Sequence, residues 1–544
     1  MGAGRRRGPG QPGQRQPRSR EYGSLFHGPS IGRRAPARVS FSFKTRPGRR
    51  ARLDAIQINP PARPAMHTPG PSSSGCPFHP APRPDTSHTA PHSAPHSQPP
   101  GAWPPGPRGG PLGWGLLRAM ARDLTGTLAR WQAEYGDVVH LRIWPEHEVM
   151  ITRPQLIREV LIQHHDSLIR WERGIEVFAQ AHGASAFTSE GDTWARKRQA
   201  LQPSFSGRAV ADLVPAIVAA TDRALARWPA THPAWPIESA LTTLAMDVIL
   251  QLMFSEDVGA RGPALEHAVR TLLQHAHREF FYPLSLPHWL PWNWPKARAL
   301  ACLHGFIDAH IQARLAAPAP GPDDLLGRLL ALHQADPDSW PLQAVRDECM
   351  STFLAGHETT SATLAWWAWA MAAHPQAQAD ARRNVAQALG QRAPAPEDLG
   401  ALGYLQQTLH ETLRLYPAAP LLATRRCLRP LQIGPWLLPA RTLLLLPIHT
   451  LHHDARWFAD PHLFRPERFG PQGDPIPRGA HLPFGTGPRV CLGQHLALTE
   501  MSIITARLLQ HYQLHPAPGQ GAPEAAFRIS LRPRVGVKVG LRAV

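Results

Sequence analysis

The ten residues FGTGPRVCLG at 484–493 restrict the chain more than any other stretch, because they place one cysteine in a glycine-rich loop directly before a helical run. The Cys491 thiolate would lie near the N-terminus of that helix, where the helix dipole and unpaired N–H groups stabilise negative charge. Gly487 allows a tight turn through backbone conformations closed to other residues. Gly493 has no side chain, so a flat ligand would fit close to the helix start. The loop therefore predicts an anionic sulfur that faces a planar ligand.

Two neighbours of the cysteine predict more about this ligand. Arg489 offers a cation beside the sulfur that would pair with a carboxylate, and Phe484 supplies an apolar wall. Together, these positions suit a thiolate bound to a metal in a flat, carboxylate-bearing macrocycle. A buried structural cysteine is the alternative interpretation, since that is the usual role of a lone cysteine. The five cysteines form no CxxC or CxxCH pattern, so they indicate neither a structural zinc site nor covalently attached haem.

The spacing F-x-x-G-x-R-x-C-x-G resembles the haem-binding signature of the cytochrome P450 family. The resemblance continues in family order over residues 101–544. It implies a mainly α (α+β) fold, in which one helix-rich triangular domain carries small segregated β-sheets. It also implies haem b (iron protoporphyrin IX) as the cofactor, Cys491 as the thiolate ligand of the iron, and O2 as a co-substrate.

Further residues would hold the two haem propionates if the resemblance is followed along the chain. Trp194 and Arg198, in GDTWARKRQALQPSF, are similar to the family's W-x-x-x-R helix and lie four apart on one helical face. Arg425 or Arg426, in LLATRRC, would supply another propionate contact. The register of that loop differs slightly from the family pattern, so the sequence leaves open which of the two arginines does so.

The segment AGHETTS at 355–361 resembles the family's oxygen-activation motif, midway along a very long helix. Ala355 and Gly356 would leave room for dioxygen and substrate. Glu358 and Thr359 are the predicted catalytic pair, in which the carboxylate relays protons from solvent and the hydroxyl donates a hydrogen bond at the oxygen-binding site. The alternative is an ordinary helix-interior threonine bonded to its own backbone.

The segment ETLRLYP at 411–417 resembles the family's E-x-x-R pair, with Glu411 and Arg414 three apart on one face. Arg468 of FRPERF would join them. Breaking such a buried network would leave a charge unpaired, so we assign it to folding and haem retention. The adjacent pair His452 and His453 has no obvious further ligands, so no zinc site is predicted there.

Patterns of hydrophobicity predict an α+β chain with β structure segregated from the helices. Strands are expected at 138–143 and 148–153, with WPEH as the turn, and a helix should start at Pro154. One helix should run over 341–374, and the prolines of 286–295 should interrupt the helical region before it. The end of the chain alternates in polarity as a terminal hairpin would.

The N-terminal segment 1–100 is predicted to be disordered, and the haem domain is predicted to occupy 101–544. Residues 1–65 carry fifteen Arg or Lys and two acids, without aliphatic periodicity. Such a tail could bind nucleic acid or anionic lipid. A mis-assigned start, with Met66 as the likelier initiator, explains the composition better, and no nucleic-acid partner is predicted.

The cysteine pattern favours a reducing cytoplasm, because it offers no disulfide framework. The most apolar long stretch, 361–373, has thirteen residues, whereas a membrane span needs about 20. We therefore expect a soluble, cytoplasmic protein without a membrane span. The resemblance is closest to the soluble bacterial class of the family.

The resemblance implies a monooxygenase that takes NAD(P)H electrons from an external ferredoxin or flavodoxin-type system, since no flavin or iron–sulfur motif is visible. The haem-side motifs are most similar to fatty-acid and alkane hydroxylases, which predicts a small apolar substrate. The segments 170–187 and 275–295 would form its wall, and a terpenoid would also fit. Alternatives are a peroxide-driven or isomerase-type member of the same fold and a non-catalytic haem sensor or carrier.

Overall fold

The computed structural model describes residues 103–257, 259–281, 290–318 and 321–544. These residues all fall within one compact unit, Ala90–Val544. The predictions for the N-terminal segment 1–100, including the start at Met66, lie outside the described residues.

Helices dominate the described part of the chain. In chain order they are α1 (Trp114–Arg122), α2 (Leu124–Tyr135), α3 (Pro154–Arg158), α4 (Glu172–His182), α5 (Gly191–Leu201), α6 (Gly207–Leu225), α7 (Ile237–Phe254), α8 (Gly262–Phe280), α9 (Trp294–Ala316), α10 (Leu325–Ala335), α11 (Leu342–Ala373), α12 (Pro375–Leu389), α13 (Gly403–Leu415), α14 (Ile448–His452) and α15 (Gln494–His511). The expected break in the helical region lies between α8 and α9, and its residues 282–289 lie outside the described part. Pro154 begins α3, as predicted.

The long helix α11 is the central element of the core. It has 32 residues and follows Pro341, so the predicted span of 341–374 is confirmed within one residue at each end. Its indole side chains Trp366 and Trp367 are completely buried. Helix α7 packs along α11 and is the one described helix long and apolar enough to span a membrane by length and composition. Because 67% of it is buried inside the protein, it serves as a core helix.

The strands form small separate sheets. They are β1 (Val138–Ile143), β2 (Glu146–Ile151), β3 (Leu168–Arg170), β4 (Thr231–Trp235), β5 (Leu422–Cys427), β6 (Leu431–Ile433), β7 (Trp436–Leu438), β8 (Leu443–Leu446), β9 (Tyr512–Pro516), β10 (Ala525–Arg528), β11 (Ser530–Pro533) and β12 (Val539–Ala543). The largest sheet has the order β1-β2-β8-β5-β3, in which β2 and β8 are parallel. The predicted α+β class with segregated sheets is confirmed.

Two details of the β structure differ from the sequence prediction. The turn between β1 and β2 holds two residues, Trp144 and Pro145, so β2 begins earlier than expected. At the end of the chain, β10 and β11 do form a hairpin around Ile529. The last strand, β12, pairs instead with β4 and β9. Alternating polarity identifies a strand but does not identify its partner, which here comes from residues about 300 positions away.

The Glu411–Arg414 pair forms a fully buried ion pair on α13. The guanidinium donates to both carboxylate oxygens of Glu411 over 2.7 and 2.8 Å, and both side chains have no exposed surface. Arg414 also donates to the carbonyl oxygens of His452 and Pro461, over 2.8 and 2.7 Å. Arg468 reaches the same carboxylate over 3.1 Å. The predicted three-residue network is therefore present, and it binds α13 to the segments that follow α14.

A group of buried histidines surrounds this network. His481 lies 5.1 Å from the His452 ring and 5.7 Å from the His410 ring, and the His449 ring stacks on His453 at 4.0 Å. Burial, with neighbouring imidazoles and Arg414, lowers the pKa of His481 to about 3. The same causes, led by burial, lower the pKa of His449 to about 4 and the pKa values of His452 and His453 well below the usual value. These imidazoles are neutral in the folded protein.

We expect the holoprotein to lose stability as the pH falls below about 6.5. The unfolded histidines then bind protons that the folded ones cannot, so each lowers the unfolding free energy by up to about 1.4 kcal/mol per pH unit. Melting curves between pH 7.5 and 4.5 test this. His481→Phe should flatten the pH dependence by about one proton, whereas His267→Gln, on the exposed side of α8, should not. Parallel profiles for wild type and His481→Phe would contradict the assignment.

Candidate haem-thiolate site

The loop before α15 has the tight geometry that its glycines predict. The Cys491 N–H donates to the Phe484 carbonyl over 2.9 Å, and the Val490 N–H donates to the Gly487 carbonyl over 3.0 Å. Gly487 has φ 77°, and a Cβ there would lie 2.3 Å from the carbonyl oxygen of Leu161. Glycine is therefore required both by the turn and by the close approach of the neighbouring backbone.

The sulfur of Cys491 lies on the wall of an internal cavity. The residue is exposed, yet burial by surrounding protein raises the pKa of the thiol, so its surface faces an enclosed space rather than bulk solvent. The Gly493 N–H and the positive charge of Arg198 act in the opposite direction on that pKa. A Cβ at Gly493 would meet nothing within 4 Å. The predicted open space beside the start of α15 is therefore present.

One turn of α11 contributes an exposed strip to an otherwise enclosed helix. Between Val345 and Ala372, only Ala355 and Thr359 are exposed, and they lie four residues apart on one face. The Thr359 hydroxyl donates to the Ala355 carbonyl over 2.8 Å. An accessible patch inside the core needs a cavity next to it, and this cavity is the space in which the resemblance implies haem and substrate.

Two other residues of this motif lie on different sides of α11. Glu358 is buried and forms an ion pair with Arg532 of β11, over 2.6 Å. Gly356 packs against α7, where a Cβ would lie 2.6 Å from the Ile249 Cδ1 atom. The expectation that Gly356 leaves room for dioxygen is therefore wrong, because its missing side chain is needed for helix–helix packing. Within this motif, the exposed residues are Ala355 and Thr359.

Arg489 and Trp194 meet as a cation–π pair, with 3.8 Å between the guanidinium carbon and the indole centroid. Arg198, one turn further along α5, donates to the carbonyl oxygen of Val490 over 2.9 Å. Helix α5 therefore packs directly against the cysteine loop, and the propionate contacts of Trp194 and Arg198 stay a prediction. Phe484 is partly buried and contacts the main hydrophobic core.

The structure distinguishes Arg425 from Arg426. The Arg426 guanidinium binds Glu146 over 2.8 Å and Glu172 over 2.6 Å, and these bonds raise its pKa. Successive residues of β5 point to opposite faces of the sheet. Arg425 is buried, and it interacts electrostatically with Arg170 and Glu190 instead. Of the two arginines, Arg425 is therefore the one that lies close to Arg489 of the cysteine loop.

Four arginines form a cationic cluster around a single acid, Glu190: Arg170, Arg198, Arg425 and Arg489. Glu190 accepts from Arg170 Nε over 2.6 Å and forms an ion pair with Arg489. Burial, followed by the charges of its neighbours, lowers the pKa of Arg489 to about 9. Burial, followed by the charge of Arg170, lowers that of Arg425 to about 10. The four arginines exceed the one acid by three positive charges, and two further carboxylates would neutralise two of these.

These features fit haem. The exposed thiol would bind the iron, the strip on α11 leaves free space, and the arginines would pair with two propionates. The sequence did not predict the roles of Arg170 and Glu190, since neither belongs to a recognisable motif. Among the described residues, no group of three or more His, Cys, Asp or Glu side chains could hold a separate metal ion.

Comparison with known proteins gives a consistent result. A family model described as Cytochrome P450 matches residues 104–539. A protein named Putative cytochrome P450 132, from Mycobacterium tuberculosis, is 31% identical over 74% of this chain and 90% of its own length. A protein named Cyclooctat-9-en-7-ol 5-monooxygenase, from Streptomyces melanosporofaciens, is 31% identical over 71% and 84%. A third, 11-oxo-beta-amyrin 30-oxidase from Glycyrrhiza uralensis, is 31% identical over 72% and 78%.

We expect Arg170→Met to weaken haem retention, because it removes one of the charges that would bind the propionates and loosens Glu190. Transfer of haem from the purified protein to excess apomyoglobin should become roughly tenfold faster, which corresponds to about 1.4 kcal/mol. Arg153→Met, at an exposed position before α3, is the matched control. Equal transfer rates for the two variants would exclude Arg170 from the haem site.

Proposed function

The chain belongs to the cytochrome P450 family, and we propose that it is a haem-thiolate monooxygenase that hydroxylates an apolar lipid substrate. The observation that carries this proposal is the Cys491 sulfur on the wall of an internal cavity, next to a surplus of buried positive charge. A haem sensor or carrier would need the same ligand but not an accessible hydroxyl at Thr359.

Bound haem supplies the activation of O2 and the transfer of one oxygen atom to the substrate. Cys491 would bind the iron through sulfur, and the Gly493 N–H, which stabilises negative charge on this sulfur, would tune its donor strength. Arg198, Arg425 and Arg489, with Trp194, would hold the carboxylates of the haem. The protein also excludes water from the cavity, because α11 is buried on both sides of its exposed strip.

Thr359 can accept a hydrogen bond from a group in the cavity without losing its helical bond. Its hydroxyl proton is donated to the Ala355 carbonyl, so the oxygen lone pairs remain available. When this hydroxyl rotates, it can donate into the cavity instead. Thr359 therefore holds a proton at the oxygen-binding side, and Glu358, the next residue along α11, is the acid that replenishes it.

The two segments that were predicted to form the substrate wall meet through aromatic side chains. Phe178 of α4 lies 5.1 Å from the Phe187 ring and 5.3 Å from the ring of Phe280, at the end of α8. Trp171 contacts Phe280 edge to face at 6.2 Å. This wall suits an apolar substrate, and we favour a fatty acid or similar lipid. A terpenoid is the second candidate, because relatives are named for cyclooctat-9-en-7-ol and 11-oxo-beta-amyrin.

Electrons would come from a ferredoxin or flavodoxin-type partner that is reduced by NAD(P)H. Exposed Arg196 of α5 and exposed Arg478, which precedes the cysteine loop, give this side of the protein positive charge. Such a surface would attract an acidic partner. A reducing cytoplasm is consistent with the free state of the four described cysteines, Cys302, Cys349, Cys427 and Cys491.

Cys491→Ser tests the reaction class. We expect the wild-type protein to show a long-wavelength Soret band in its reduced carbonmonoxy complex and to convert substrate with NAD(P)H and a redox partner. The variant should lose both, because a serine oxygen is a weak iron ligand. Cys302→Ser, at an exposed position of α9, is the control. Survival of the band in Cys491→Ser would refute the ligand, and a wild-type band without any product would favour the sensor or carrier.

A spectral-shift titration tests the substrate class. Binding of a substrate in the cavity should shift the Soret band of the holoprotein, and we expect micromolar affinities for medium- or long-chain fatty acids. Terpenoid alcohols and alkanes form the comparison panel. Phe178→Ala should weaken binding of the substrate by about tenfold, since it opens the aromatic wall. Shifts with terpenoids alone would replace the fatty-acid hypothesis by the second candidate.

A further inference from the structure

The Glu358 carboxylate is bound by residues of the hairpin β10–β11, far away in sequence. Arg532 donates to it through Nε over 2.6 Å and through a terminal nitrogen over 2.8 Å, in a bidentate fork. The Ser530 hydroxyl donates to the same carboxylate over 2.6 Å. Arg532 also donates to the Ser361 hydroxyl and to the Glu358 carbonyl, over 2.6 and 3.1 Å. This arrangement fixes the direction of the carboxylate.

The Arg532 guanidinium also binds a second carboxylate. Arg532 donates from its other terminal nitrogen to Glu238, in the first turn of α7, over 3.2 Å. Glu238 is held in place by the Val537 N–H over 3.0 Å. The exposed fraction increases from Glu358 (10%) through Arg532 (14%) to Glu238 (17%). Two carboxylates therefore share one cation, with the weaker contact on the more exposed side.

This sharing changes the energy needed to move Glu358. Leaving a buried charge without its partner is strongly unfavourable, which would hold a simple Glu–Arg pair closed. Because Arg532 also binds Glu238, its guanidinium still has a carboxylate partner when the Glu358 side chain rotates away. Side chains of neighbouring helix residues differ by about 100° in direction, and of these two residues only Thr359 is exposed to the cavity. The Glu358 side chain must therefore rotate before it can act beside Thr359.

We propose that Arg532 and Glu238 are positioning residues for the pair Glu358 and Thr359. Arg532 holds Glu358 as an anion turned toward β11, and Glu238 receives the guanidinium when the carboxylate turns toward the cavity. In each cycle the Glu358 carboxylate takes one proton from solvent, gives one to the Thr359 side, and returns to Arg532 as the anion. This inference rests on the proposed function and deepens it.

The charges that face Glu358 support this arrangement. Burial by itself raises the pKa of Glu358, but the charge and hydrogen bonds of Arg532, together with His357 and Ser530, lower it overall. His357 is the titratable neighbour on α11, and its Nδ1 bonds to the Phe353 carbonyl over 2.9 Å. Glu238 faces the cluster from α7, and Glu266 of α8 acts on His357.

The test compares Arg532→Met, Arg532→Lys and Glu238→Gln with wild-type holoprotein. Infrared titration should detect the acid form of Glu358, identified by its loss in Glu358→Gln. We expect Arg532→Met to move this titration up by at least one pH unit, and Arg532→Lys to restore most of the wild-type value. Arg534→Met, two residues away at an exposed ion pair with Glu524, is the control and should leave the titration unchanged.

Turnover with NAD(P)H and a redox partner gives the second measurement, the fraction of electrons recovered as hydrogen peroxide at each pH. Glu238→Gln should raise this fraction several-fold toward the value of Thr359→Ala, because the guanidinium then has Glu358 as its remaining acid and releases it more slowly. Arg532→Met should move the pH profile in parallel with the infrared titration. Unchanged peroxide in Glu238→Gln would overturn its role, and an unmoved titration in Arg532→Met would overturn that of Arg532.

The two measurements separate this inference from the proposed function. If wild-type protein makes no product from any substrate, the monooxygenase proposal fails, yet the infrared titration still decides whether Arg532 controls Glu358. If Arg532→Met does not fold, Arg532→Lys keeps a cation at this position and Glu238→Gln keeps the size of the side chain, so the peroxide measurement on Glu238→Gln still tests the sharing of Arg532.

Discussion

The buried ion pair between Glu411 and Arg414 is the interaction on which the site depends. Arg414 donates to the His452 carbonyl, and the His452 Nε2 atom accepts from the Leu482 N–H over 2.9 Å. Leu482 stands two residues before Phe484, whose carbonyl accepts from the Cys491 N–H. Three hydrogen bonds, joined by short covalent stretches of the chain, thus connect a charge pair in the core to the cysteine loop. The buried neutral histidines stabilise the same region, and their protonation at low pH should therefore destabilise the cysteine loop.

In both charged clusters of the site, one partly buried charge is shared between two partners of opposite charge. Glu190 is shared by Arg170 and Arg489, and the surrounding arginines leave positive charge for a ligand to balance. On the other side of α11, two acids share Arg532. A protein that must bind a dianionic cofactor and move a proton benefits from charges whose partners can be exchanged at low cost.

Short motifs allowed the sequence to predict the residues that act within about ten positions of each other. These include the cysteine loop, the Trp194–Arg198 pair and the Glu411–Arg414 pair, whose spacing follows directly from turn and helix geometry. The sequence could not predict that Gly356 packs on Ile249, that Arg170 joins Arg489, or that Arg532 holds Glu358. These contacts join positions that lie about 100 to 300 residues apart, and no local pattern encodes such distances.

The exposed strip on α11 has a consequence for how this chain can change over generations. Its two residues, Ala355 and Thr359, belong to a helix whose other central residues pack into the core. This side of the cavity therefore tolerates little variation in sequence. The aromatic rings of Phe178, Phe187 and Phe280 stand on the peripheral elements α4 and α8 and on the segment that precedes α5. A new substrate preference can therefore arise by substitution of these aromatic residues, while the exposed strip on α11 stays unchanged.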